Sequence, residues 1–422
     1  MKSLLFVTGL AVGANTVLAA IPVGRGEVNL DLTASATYDS NVFGSPAATG
    51  DFYGTLTPHA VYTRKAGAIE AEANVGVSFE RYLDQTQLNA ANVNADATLR
   101  LAADPASRNL SGSVGASYHE SSDVNADVNA RINSKTTALT GAAALVTGPR
   151  TDLAFHATYT DIERNVASNQ QLLGSELRYD YRDFFYGNKL LLTGNYDQAR
   201  SSGQNLRGAD LDQTSYSFAA GLGRSFYHDT VQGELSYGYR VLDRARAETT
   251  TGATRQSGPV ITASLQGPFL PRRYFPKVTS RLVLSYQDAS TPGVNDTGGK
   301  ALTGALELDW QARTNTMATF TATRGQRLSA DDLTVVSSAL LLGLAQTFRY
   351  NLTGSVSAGY SWDTYRGTNR SDQTVLATAG LKYNFARSWV ANASYRLSSV
   401  TSSDRRAAYD RQVTSLSVTY QF

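Results

Sequence analysis

Hydrophobic residues in this chain recur every second position, and they do so over segments far longer than a soluble strand requires. Val28, Leu30, Leu32, Ala34, Ala36 and Tyr38 alternate with Asn29, Asp31, Thr33, Ser35, Thr37 and Asp39. Ile69 to Phe79 repeats the pattern against Glu70, Glu72, Asn74, Gly76, Ser78 and Glu80. The stretches 92–101, 110–118, 153–159, 231–241, 302–310 and 352–362 do the same. A period of two places alternate side chains on opposite faces of an extended strand. Soluble strands usually run about five or six residues. Repeated alternating segments of about ten residues or more are the pattern of a strand that crosses a bilayer.

A longer beat sets the count. Aromatics fall on successive segments at Tyr38, Phe79, Tyr118, Tyr159, Tyr196, Tyr237, Tyr286, Phe320, Tyr360 and Tyr395. Their spacing of about forty residues fits one up-and-down hairpin with its connections. If each marks one upward strand, the fold is all-β: a single up-and-down antiparallel transmembrane barrel of ~20 strands, with ~18 as the next count. A propeller shares the period but needs four short strands per repeat, where this chain offers two long ones. Short turns are expected at Arg64–Gly67, Ala103–Pro105, Gly148–Arg150, Tyr227–Asp229, Thr314–Asn315 and Ala386–Ser388. Longer polar connections are expected near 40–51, 120–130, 161–170, 200–210, 246–257, 287–299 and 400–410. One turn departs from the short set: Pro268-Phe-Leu-Pro-Arg-Arg-Tyr-Phe-Pro276 is basic and aromatic. An interfacial anchor is its plain reading, and a docking knob for a periplasmic partner the sharper one.

The ends give the compartment. Met1-Lys2, the apolar run Leu4–Ala14 and Val17-Leu18-Ala19 have the layout of a secretory signal peptide, 1–19, which leaves 20–422 as the barrel. No later run reaches the ~18 apolar residues of a membrane helix. The chain has no cysteine, so disulfides contribute nothing. Its formal charge of +2 gives no electrostatic case for nucleic acid. At the other end Leu416, Val418, Tyr420 and Phe422 share one face of a final strand. This resembles the closing strand of bacterial outer-membrane barrels, whose terminal Phe is read by the barrel assembly machinery. These four residues are therefore expected to act as the assembly signal, and to seal a seam against residues 27–39.

Under the same register one face of each strand is apolar and meets outer-membrane lipid, while the other is polar. Among residues expected to line the lumen are Glu70, Glu72, Glu80, Asp96 and Arg100, then Glu176, Arg178, Asp180 and Arg182. Arg240, Arg281, Lys382 and Arg396 follow later. Opposed carboxylates and guanidiniums either set a field across a pore or bridge one another along the wall. Chemistry finds little else. His59, His119, His156 and His228 are isolated, with no H-E-x-x-H pattern, so neither a metal nor catalysis is expected. Asp123-Val-Asn125-Ala-Asp127-Val-Asn129 imitates the start of a calcium loop but lacks its glycine and closing glutamate, and reads better as polar alternation. No cofactor is implied.

At Tyr38-Asp39-Ser40-Asn41-Val42-Phe43 the chain resembles a family of proteobacterial outer-membrane β-barrel porins. The resemblance implies a Gram-negative outer-membrane pore that passes hydrophilic solutes through a polar, mixed-charge lumen. Some relatives are linked to exopolysaccharide secretion, which makes an export pore working with a separate periplasmic partner the alternative. A structural or adhesive barrel is the third reading. Inward aromatics able to stack on sugar rings would favour export, but the register turns most aromatics outward.

Overall fold

The computed structural model describes residues 21–422 apart from 103–108, 129, 203–210, 228, 247–253, 272, 274–276, 289–299, 331–332 and 367. The expected leader 1–19, the turn at 103–105, His228, and parts of the 200–210, 246–257, 268–276 and 287–299 connections lie outside the described residues.

The chain runs through β1 (Ile21–Val23), β2 (Gly26–Asp39), β3 (Asp51–Ala66), β4 (Ile69–Tyr82) and β5 (Ala90–Leu101). It continues with β6 (Leu110–Asn125), β7 (Ala130–Gly148), β8 (Thr151–Arg164), β9 (Asn169–Phe185) and β10 (Asn188–Ser202). Next come β11 (Leu211–Phe226), β12 (Val231–Arg246), β13 (Thr254–Gly267), β14 (Val278–Asp288) and β15 (Lys300–Arg313). The last are β16 (Thr316–Leu328), β17 (Thr334–Arg349), β18 (Leu352–Tyr365), β19 (Ser371–Ala386), β20 (Trp389–Ser402) and β21 (Tyr409–Gln421). From β2 to β21 each strand pairs antiparallel with the next, and β21 returns to β2, which closes a barrel of 20 strands. The ten beat aromatics fall one each on the even-numbered strands β2 to β20, so the forty-residue period counted hairpins correctly.

Closure is a physical requirement. Lipid offers backbone N–H and C=O groups no partner, so a spanning sheet cannot keep an open edge. The seam pairs Asp31–Asp39 with Val413–Gln421, and the Phe422 N–H reaches the Leu30 carbonyl at 2.9 Å. It is shorter than the expected 27–39. The shortfall is covered by β1, which folds back through Gly24 (φ 63°) and pairs Ile21–Val23 with Gly26–Val28.

Connections alternate. Both ends of the barrel chain and the short turns, such as Gly67–Ala68, Pro149–Arg150 and Arg387–Ser388, lie at one rim. The longer links lie at the other, which makes it the extracellular mouth. Two details differ from expectation. The β3 strand runs on through Ala66, so the turn is tighter than Arg64–Gly67. The region near 120–130 is mostly strand, since β6 continues to Asn125 and β7 begins at Ala130. The links 83–89, 329–333 and 366–370 complete the mouth set and were not foreseen.

Outward faces carry Val, Leu and Ala midway and aromatic rings near the rims, where amphipathic rings meet headgroups. Tyr38 packs on Phe52 and Tyr360 on Trp362 toward the mouth. At the periplasmic rim Tyr383, Phe385, Trp389, Tyr420 and Phe422 form a chain of ring contacts at 4.7–6.2 Å. Leu416 and Val418 share the outward face of β21 and are exposed.

Candidate pore and its mouth

Strand register places every expected lining residue on the face opposite these apolar rows. Glu70, Glu72 and Glu80 stand on β4, Asp96 and Arg100 on β5, and Glu176, Arg178, Asp180 and Arg182 on β9. Arg240, Arg281, Lys382 and Arg396 follow on β12, β14, β19 and β20. Many are paired along the wall. Arg178 bridges Asp180 (2.8 Å) and Glu234 (2.7 Å), and Lys189 joins the same two carboxylates at 3.3 and 2.9 Å. Arg182 holds Asp152, and Arg281 stands 4.0 Å from Glu307. Asp96 and Asp31 are engaged by His119 and His59 at 3.0 and 2.9 Å. Arg100 faces Glu70, and Glu176 faces His156, as register partners. Glu80 accepts from Asn92 Nδ2 at 3.2 Å, and Arg240 donates to Ser215 at 3.0 Å. Lys382 and Arg396 make no hydrogen bond or ion pair with any described residue.

The mouth is built differently. Among the described residues thirteen apolar ones are buried, and all but Leu191, Val231 and Val278 sit at this end. They include Val42, Tyr82, Ile132, Ala330, Val335, Tyr365 and Ala407, none more than 5% exposed. This is the nearest thing the barrel has to a core.

Its first part is the segment that carries the family resemblance. The fully buried Asp39 carboxylate takes Arg411 through Nε and Nη2 (2.8–3.2 Å) and the Asn41 N–H (2.9 Å). Asn41 then donates to the carbonyls of Ser45 and Asp410, which ties loop 40–50 to the closing strand. Val42 is carried inward, and its carbonyl accepts from Arg131 at 3.1 Å. Gly44 adopts φ 62° against the β6 tip, where an added Cβ would lie 2.1 Å from Val124. Only glycine fits both the conformation and the space.

The second part spans the opening. Asp127, at the β6–β7 tip, accepts from Arg327 Nη1 and Nη2 at 2.8 and 2.9 Å. The Tyr365 hydroxyl (2.9 Å) and the Ala330 N–H (3.2 Å) donate to the same carboxylate. Arg370 stacks 4.4 Å above Tyr365 and donates to the carbonyls of Asp127 (2.7 Å) and Ala126 (2.6 Å). Beside it, Gln170 donates to the Ser329 carbonyl at 2.7 Å. β6 and β16 are ten places apart in a ring of twenty, so these bonds cross its diameter. A round barrel of this strand number is roughly 35 Å across between backbones. The strand tips must therefore lean inward to meet. Burial pushes the Asp127 carboxyl up, but the Arg327 hydrogen bonds and charge, the Tyr365 hydroxyl and the Ala330 N–H outweigh it and hold the group below its ordinary value.

Sequence reading missed this latch. In sequence Asp127 reads as polar alternation, and no local pattern marks Arg327, Tyr365 or Arg370. The available signal was a carboxylate at the tip of the longest hairpin. Four tyrosines, Tyr53, Tyr82, Tyr365 and Tyr409, also stand at inward positions near the mouth, although most aromatics do face lipid.

Residues 285–422 match the family described as "Putative beta-barrel porin 2". This chain is a bacterial outer-membrane β-barrel. The family match covers the end of β14 from Ser285 and all of β15 to β21, including the seam strand. Among solved structures, the barrel is similar to the FrpB iron transporter from Neisseria meningitidis, with a TM-score of 0.55 at 9% identity over 93% of this chain and 81% of that one. The ferric citrate transporter FecA gives 0.51 at 10% identity over 93% and 79%. The alcaligin outer-membrane receptor FauA from Bordetella pertussis gives 0.50 at 11% identity over 93% and 76%. At such identities the likeness concerns the fold alone. No curated protein matches the chain significantly in sequence.

Proposed function

We propose that the barrel is an outer-membrane pore for hydrophilic solutes, closed at rest by its own extracellular loops. The observation that carries this reading is the contrast between an outward apolar face and a continuous inward face of amides, hydroxyls and charges. A ring of twenty strands is too wide for side chains to fill, so such a lining holds water. Mixed signs along the wall, locally paired, favour polar solutes without a strong preference for one ion charge. Transport asks for no reacting group, and two of the inward histidines are engaged by Asp31 and Asp96.

Planar-bilayer recording of the purified barrel tests the reading. Long closures interrupted by discrete openings are expected from the wild type, and frequent openings from Asp127→Asn. Silence from both would sink the pore. A second reading, export of a polysaccharide with a separate periplasmic partner, gains support from the inward tyrosines. Tyr82 and Tyr365 are 5% and 2% exposed, however, so only Tyr53 and Tyr409 are placed to meet a sugar in the closed state. Block of Asp127→Asn channels by a long neutral polysaccharide, but not by its monosaccharide, would favour export.

A further inference from the structure

Beneath the closed mouth lies a cavity of about 410 Å³, within the size range of small-molecule sites. Arg396 and Arg411 enter it from adjacent strands. Arg396 is the register partner of Val413, so Arg411 is its diagonal neighbour on the same inward face. Two guanidiniums this close repel unless an anion lies near. Arg411 has one: its Nε and Nη2 are committed to the buried Asp39, and its Nη1 donates to Asp123 Oδ1 at 2.8 Å. Arg396 lines the cavity without a hydrogen bond or ion pair to any described residue. Asp123, Arg396 and Arg411 all line this one cavity.

Asp123 is the revealing member. Asp39, the other carboxylate on Arg411, is fully buried, whereas the Asp123 side chain is 59% exposed, hangs on the arginine by one bond and otherwise accepts only the neighbouring Val124 N–H. It is a carboxylate that another carboxylate can replace. The far wall supplies neutral polar groups. Asn92 spends its amide N–H on Glu80 and keeps its carbonyl oxygen, while the Asn94 oxygen is engaged by His119 and its NH₂ is left to donate. An acceptor and a donor side by side suit a hydroxyl, which both gives and takes a hydrogen bond. The nearby carboxylates of Glu80 and Asp123 oppose a dianion.

We propose that this cavity binds a small monoanionic sugar acid, whose carboxylate displaces Asp123 to sit between Arg396 and Arg411 while its hydroxyls meet Asn92 and Asn94. Guanidinium and carboxylate match in geometry, and such bonds are stronger than neutral ones. The inference rests on the pore reading only for the route by which the ligand arrives. Displacing Asp123 also loosens β6 from Arg411, so occupancy acts on the same hairpin whose tip closes the mouth.

Calorimetric titration of the full-length barrel in detergent tests this, with galacturonate, galactose and inorganic phosphate as the probes. Galacturonate is expected to bind, and galactose and phosphate to bind at least about tenfold more weakly. Arg396→Gln should weaken galacturonate at least about tenfold, and Asp123→Asn should tighten it by freeing Arg411. Equal binding of phosphate or galactose would overturn the assignment, as would no binding of galacturonate or unchanged affinity in Arg396→Gln. Heat-modifiable mobility checks that each variant is folded; if Arg396→Gln is not, the direction of the Asp123→Asn change decides alone. A barrel that binds galacturonate but never conducts keeps this site and loses the pore reading. One that conducts without binding does the reverse.

Discussion

The two ends of this lumen use charge in opposite ways. At the mouth, carboxylates are buried and saturated: Asp39, Asp51, Asp127 and Asp372 are each no more than 8% exposed. Asp39 and Asp127 take partners from distant parts of the chain, and Asp51 and Asp372 from the adjoining strands and links. Lower down, Arg281 and Glu307 are 61% and 48% exposed, and Arg178, Asp180, Lys189 and Glu234 pair within four neighbouring strands. Water screens the exposed Arg281–Glu307 pair and leaves it individually weak. At the mouth, removing one partner strands the other without water, which makes each contact decisive. The mouth is thus fitted to hold one shape, while the lower wall carries charges paired with near neighbours.

Asp127→Asn attacks the mouth most directly. Loss of the charged hydrogen bonds should cost the closed state about 2–3 kcal/mol, a figure already discounted because Arg327 is 42% exposed. That is roughly a hundredfold change in the ratio of closed to open, read from dwell times in single-channel records. Dwell times within about twofold of wild type would remove the latch from the account.

Removing Phe422 probes the rim opposite the mouth. It deletes the N–H bond to Leu30 and the edge-on ring contact with Tyr420 at 4.7 Å. A several-fold fall in heat-modifiable barrel at the cell surface is expected, with normal dwell times in the barrels that do form. Undiminished assembly would deny the terminal residue its task.

Acid sharpens the contrast further. The Asp127 carboxyl titrates lower in the closed state than when released, so its contribution to closure is complete above the ordinary value of 3.8 and is lost as pH falls through the depressed one. Open probability should stay flat from neutral pH down to that value and climb only below it. A rise already near pH 6 would show that another group governs the mouth.

The smallest effect belongs to the lower wall. Arg281→Gln breaks an exposed pair and should change stability by no more than about 0.5 kcal/mol in a denaturant titration of the detergent-solubilised barrel. A loss several times larger would mean the two ends are less different than their burial implies.

The strands and their number were legible because period-two alternation and the aromatic beat are local, and lipid forces closure once they are present. The face of each charged residue followed from the same parity. The mouth was not legible for the opposite reason. Nothing near Asp127 in sequence mentions Arg327 or Tyr365, and Asp123–Asn129 alternates as any polar strand would. Inward lean of a hairpin tip leaves no periodic trace. Loop 40–50 was half visible: Tyr38–Phe43 stood out as a motif, but its Asp39 reads as one more polar residue until Arg411 is seen on it.

The latch joins residues two hundred positions apart, Asp127 on the early side and Arg327 on the late side. Asp39 and Arg411 are further apart still, at 372. Contacts of such separation form late in any folding order. While the sheet is incomplete the early hairpins have nothing to clasp, and the tip of β6–β7 carries an unanswered carboxylate. The clasp exists only where β6–β7 faces the strands β16 to β19 across the closed ring, and loop 40–50 is held only where Arg411 of the seam strand meets Asp39. Closure of the mouth is therefore a property of the finished ring only: a barrel whose sheet is incomplete has no latch, whatever the state of its individual hairpins.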